Sequence, residues 1–327
     1  MPNYFFETDF FPEQIWLFLV VFVDVGHVYS TIYRTYIDKQ LVSKHQNLFF
    51  GLPVLLFALS VLLHSISSIL FWRCLAYFAV YHFIRQQYGF LRIYSRKNTY
   101  SKFKHYIDSV TIYGVTILPI IYWHFSGNRK FNWFLKNEFF QFSTNEWILN
   151  STILLIFLVL IIYFISEGFE VFKSQQINYQ KNAIVIGTAL SWFIGIVYYN
   201  SDFVFTLLNV VCHGVPYMTL VWIHGKKTHV VSNETNVLNL IYGKFSMLLF
   251  LLPIVFFAYI EESFWDAFVW HEHNTSFIIF DSFNVSLSKN VLNIIVPLLA
   301  LPQLFHYVID GFIWKIKVDK FNWTNIL

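Results

Sequence analysis

The sequence predicts an all-α, polytopic transmembrane helix bundle of about nine spans, with the N-terminus outside and the C-terminus inside. Composition, recurring long apolar runs and the charge of the loops between them predict it. Apolar residues make up 57% of the chain and charged residues 13%, where soluble domains carry roughly a quarter charged. A mean hydropathy of +0.53 over 327 residues is too high for one anchor helix on a soluble body. Apolar runs recur from end to end, so a single integral membrane domain over 1–327 is expected. The formal net charge is +3, and no nucleic-acid partner is expected. Cys74 and Cys212 both fall in apolar stretches, which argues against a stabilising disulfide. The first residues carry Glu7, Asp9 and Glu13 instead of a basic region, so no cleavable signal peptide is expected.

A span needs about 20 mostly apolar residues. On that measure helices are predicted near 14–36, 48–65, 70–92, 106–125, 147–172, 183–200, 203–224, 240–260 and 290–314. The stretch 261–289 mixes Glu261, Glu262, Asp266, Glu272 and Asp281 with apolar patches. It reads as an external loop with an interfacial helix around Phe264–Trp270. Loop charge sets the orientation, because lysine and arginine accumulate on the cytoplasmic side. Alternate loops hold Lys39 and Lys44, then Arg92, Arg96, Lys97, Lys102 and Lys104, then Lys173 and Lys181, then Lys226 and Lys227, and finally the tail Lys315, Lys317 and Lys320. The other loops keep most of the acids. Pro119, Pro216, Pro253, Pro297 and Pro302 lie within spans, where a missing N–H can kink a helix.

Ionisable groups inside the hydrocarbon are costly, so each one is a candidate for function. In the first helix, positions 24, 27, 31 and 34 are three or four apart, so Asp24 and His27 share one face. His82 and Gln86 share a face of the third helix, His213 and Tyr217 of the seventh, and His306 and Asp310 of the last. The histidines lie about nine, ten, eleven and eight residues from the inner ends of their helices, which puts all four within roughly 5 Å of one plane at 1.5 Å per residue. Four imidazoles at one depth suggest a metal-ligand set of His27, His82, His213 and His306. A metal-bound imidazole usually donates its other N–H to a carboxylate, amide or carbonyl, and Asp24, Gln86, Tyr217 and Asp310 are placed for that role. Asp24 or Asp310 is an alternative fourth ligand in place of His213. Arg85 is expected to pair with Glu167 or Asp24. Glu167 is a candidate for a carboxylate behind the ligands, a proton relay, or the counter-ion of Arg85.

Neutral imidazoles suit a redox metal such as Fe(II) with positions open to dioxygen. One plane argues against two stacked haems, and the lack of closely spaced histidine boxes argues against a di-iron centre. Three readings of the buried polar residues stay open. They are a non-haem iron oxygenase acting on a lipophilic substrate, a haem-bearing electron-transfer protein, and a proton-coupled transporter or channel.

The order of these elements resembles that of the bacterial Brp/Blh-type β-carotene 15,15′-dioxygenases. The resemblance rests on Gly26-His27, on His82-Phe83 with a nearby polar run, on His213 in a helix that ends in aromatic and basic residues (Trp222, Lys226), and on His306 followed one turn later by Asp310. It spans most of the chain through short patterns. Asp24 precedes His27, whereas in that family the Asp follows the first His, and the next histidine after His213 is His224. The resemblance implies histidine-bound iron, dioxygen as co-substrate, a hydrophobic small molecule drawn from the bilayer, and residence in a bacterial plasma membrane.

Overall fold

A computed structural model describes residues 12–96, 98, 101–229, 241–243, 246–273, 275–277 and 286–315. Lys97, Asp281, Lys317 and Lys320, which entered the charge argument, lie outside the described residues. Among the described residues there is no strand. Ten helical elements are bounded among the described residues. They are α1 (Glu13–Arg34), the short α2 (Lys39–Lys44), α3 (Asn47–Ile66), α4 (Ser68–Ser95), α5 (Lys102–Phe125), α6 (Glu146–Ser174), α7 (Tyr179–Tyr198), α8 (Asp202–His229), α9 (Ser246–Trp270) and α10 (Lys289–Ile313). Eight of them are long and apolar enough to cross a membrane. The ninth long helix, α4, carries Arg73, Arg85, Arg92, Gln86 and Gln87 and is too polar to qualify on composition alone. The chain is an integral membrane protein built as an all-α bundle.

Helix starts follow the local chemistry of capping. Side-chain oxygens of Asp38, Ser101, Asn145 and Asn178 accept backbone N–H groups in the first turns of α2, α5, α6 and α7, satisfying donors that a helix leaves free. The predicted spans and the observed helices agree within a few residues at most ends. The eighth differs most, running from Ser246 to Trp270 instead of ending near 260. Glu261 and Glu262 are buried within it. Tyr29 Oη and Trp265 Nε1 donate to the Glu261 carboxylate, the latter at 3.3 Å. Asp266 Oδ1 accepts the N–H groups of Glu272 and His273, each at 2.8 Å. Partners brought by tertiary packing let the helix continue through acids that, read in sequence, look like a loop. The expected interfacial helix at Phe264–Trp270 is the end of α9.

Of the five span prolines, Pro119, Pro216 and Pro253 sit inside continuous helices. Between Pro297 and Pro302 the last span does break, into Lys289–Leu299 and Leu301–Ile313 with Ala300 as the joint. Pro302 has no N–H to offer the preceding turn, which is the physical cause of the break.

Spatially the described residues form two compact units, and the boundaries fall inside the continuous helices α4 and α8. Residues 79–213 make one unit. Its α5 packs along α6 and against α7 around Leu91, Ile112, Val115, Tyr163, Val185 and Ala189. The other comprises 12–78 and the described part of 214–315. There α9 packs on α1, and the two halves of α10 lie on α3 and α1. On α6, Leu154 is 68% and Phe169 73% exposed, surfaces that suit lipid and not water.

Candidate metal centre

Each unit holds a pair of imidazoles. In the unit of residues 79–213, α4 carries His82 and α8 carries His213, with ring centroids 5.0 Å apart and the rings nearly perpendicular. The face of His213 stacks on Phe83 at 3.5 Å between centroids and 7° between planes. The backbone of α8 is held here by two amides of α4: Gln86 Nε2 donates to the carbonyl of His213 at 3.1 Å, and Gln87 Nε2 to that of Cys212 at 3.4 Å. Thr188 in turn donates to Gln87 Oε1 at 3.0 Å. Gln86 therefore positions the helix that bears His213 through its backbone.

In the other unit, α1 carries His27 and α10 carries His306, with centroids 4.9 Å apart at 78°. His27 Nδ1 lies 3.3 Å from the carbonyl of Val23. A carbonyl only accepts, so this nitrogen carries the proton and Nε2 keeps a lone pair. The Asp24 carboxylate is 3.7 Å from the same nitrogen, too far for a hydrogen bond. His306 Nδ1 meets Thr31 Oγ1 at 2.7 Å, while Asp310 stands off at 3.7 Å. Tyr217 lies edge-on to both rings, with centroids 6.0 Å from His27 and 4.9 Å from His306.

Two glycines make the close helix approach possible. A Cβ on Gly214, next to His213, would sit 2.8 Å from the Val23 carbonyl of α1, and one on Gly26, next to His27, would sit 3.1 Å from the Ile254 side chain of α9. Small residues at such crossings are how membrane helices pack closely. The segment Leu17–Val25 leading into Gly26-His27 is a π-helix, a rare geometry that recurs at functional sites.

His27, His82, His213 and His306 are all buried, and the four could form a metal site. Beside His306 is a cavity of about 340 Å³, lined by groups that include Thr31, Ile32, Pro53, Leu301 and Phe305. No charged side chain lines it.

Glu167 lies elsewhere, and the expectation that it pairs with Arg85 is wrong. Its carboxylate is held by Lys104, at 2.5 Å, and by Lys181, and Asp108 bonds Lys104 and lies 3.5 Å from Lys181. Arg85 instead donates to Tyr113 Oη and lies over the Tyr88 ring. Lys104 and Lys181, counted above among loop cations, are 2% and 0% exposed. Placed one turn inside their helices, they neutralise the two acids. Sequence reasoning also passed over Thr31 and Phe83 as site residues. Thr31 did stand in the three-and-four stack with Asp24 and His27, and Phe83 directly follows His82, but nothing local to either marks it as a contact of a ligand on another helix. Comparison with protein-family models, curated proteins and solved structures finds no match to this chain.

Proposed function

We propose that this protein is a membrane-embedded, non-haem iron oxygenase acting on a lipophilic substrate, with His27, His82, His213 and His306 as the iron ligands. Four buried imidazoles that could form a metal site carry the reading. Soft thiolates and hard carboxylates are missing from this set, and four neutral nitrogens favour a first-row transition metal over calcium or magnesium. Iron bound there would supply the activation of dioxygen for oxidation of the substrate. The chain's own residues would do the rest. The carbonyl of Val23 orients His27, Phe83 fixes the plane of His213, and the apolar cavity beside His306 receives the substrate and excludes water.

Cleavage of a carbon–carbon double bond by dioxygen into two carbonyl compounds balances with no external reductant, and no redox partner is then needed. The resemblance to Brp/Blh-type enzymes makes a polyene the first substrate to try. Haem fits less well, because two imidazoles would suffice to hold it and the other two buried ones would have no role. A transporter or channel would use the charged groups, but Glu167 is held by Lys104 and Lys181 and Arg85 donates to Tyr113.

The test is metal stoichiometry and absorption on purified protein reloaded anaerobically with Fe(II). About one iron per chain is expected, with no Soret band. His306→Ala and His82→Ala should each reduce retained iron to near zero after gel filtration. A wild-type protein that retains no transition metal, or variants that keep it, would overturn the assignment.

A further inference from the structure

The route from the carboxylate of Asp310 to the imidazole of His306 is indirect, and with Asp310 ionised its geometry has one self-consistent set of proton positions. Asp310 Oδ1 is 3.7 Å from His306 Nδ1, beyond hydrogen-bond reach. It instead accepts from Tyr217 Oη at 2.6 Å. The proton of Tyr217 is thereby committed, so at the 2.9 Å contact between Tyr217 Oη and Thr31 Oγ1 the threonine donates. Trp314 Nε1 also points to Tyr217 Oη at 3.5 Å, and an indole can only donate. With its one proton given to Tyr217, Thr31 Oγ1 is an acceptor at its 2.7 Å contact with His306 Nδ1. That nitrogen therefore carries the hydrogen, and Nε2 keeps the lone pair.

We propose that Asp310, Tyr217 and Thr31 form a directional hydrogen-bond chain that holds His306 in the Nδ1–H tautomer, so that Nε2 is the metal-binding atom. The proposal rests on the metal reading above, and it makes the three residues positioning residues for one ligand. It agrees with the neighbouring ligand on α1, where the Val23 carbonyl imposes the same tautomer on His27 by a single contact. Thr31 also lines the cavity beside His306, with its hydroxyl committed on both sides. Thr31 lies one turn after His27, so a single face of α1 supplies one ligand and orients another.

The experiment uses the full chain in detergent, with imidazole-15N histidine. Nitrogen shifts report the tautomer in the metal-free protein, the His306 signal being the one lost in His306→Gln. Fe(II) and Co(II) titrations report affinity. In the wild type the His306 signal should be that of the Nδ1–H form. Thr31→Val, close to isosteric, and Tyr217→Phe should each leave a mixture of tautomers and weaken metal binding about 10- to 100-fold. Thr31→Ser restores the hydroxyl and should restore both readouts, which a role in packing alone would not require. A wild-type His306 in the Nε2–H form, or a Thr31→Val protein with unchanged tautomer and affinity, would overturn the chain. If the wild type binds neither metal, the metal reading fails, while the shifts in the metal-free protein still decide the chain.

Discussion

An imidazole buried in a membrane helix has two nitrogens to satisfy, and the neighbour of one decides what the other can do. His27 leans on a backbone carbonyl, His306 on Thr31, and His213 lies flat on Phe83. Phe83→Leu removes the flat surface but keeps the apolar volume. It should lower Fe(II) affinity about tenfold, read by titration, with unfolding temperature little changed. Tyr217, expected beside His213, lies edge-on to His27 and His306 and bonds Asp310. Asp24 and Asp310 were legible as carboxylates near histidines. Their 3.7 Å separations were not, because one-turn spacing along a helix sets proximity and not rotamer or partner.

At the scale of elements, the helices beside the histidines are brought together by what is missing from them. A methyl group at Gly214 would press on the Val23 carbonyl at 2.8 Å, and backbone cannot yield as a flexible side chain can. Gly214→Ala should cost about 1–3 kcal/mol and lower iron content together with thermal stability, because the strain falls beside His213. Away from the histidines, α5, α6 and α7 are tied by the buried set Lys104, Asp108, Glu167 and Lys181. Removing one cation leaves a carboxylate uncompensated, so Lys181→Met should destabilise by about 3–5 kcal/mol. Neutralising all four, as Lys104→Met, Asp108→Asn, Glu167→Gln and Lys181→Met together, should recover most of that loss in thermal unfolding. A quadruple variant less stable than the single one would mean that the charges contribute more than mutual compensation.

At the scale of the whole molecule, an apolar cavity beside a metal ligand separates binding of substrate from binding of metal. Ile32 lines the cavity and is not one of the four histidines. Ile32→Trp should narrow the 340 Å³ space. Turnover of a lipophilic polyene should then fall by about a hundredfold while iron stays at about one per chain. Activity loss accompanied by iron loss would assign the cavity a structural role instead.

Hydrophobic periodicity and span length are properties of consecutive residues, and they determined the helical class and most helix ends among the described residues. Depth along a helix is arithmetic at 1.5 Å per residue. Azimuth is not, and it depends on which helix packs against which. Only the tertiary structure decided that Glu261 belongs inside α9 beneath Tyr29, that Glu167 faces Lys104 and Lys181, and that Thr31 links Tyr217 to His306. A buried charge or hydroxyl takes its meaning from its partner, and in each of these cases the partner comes from another helix.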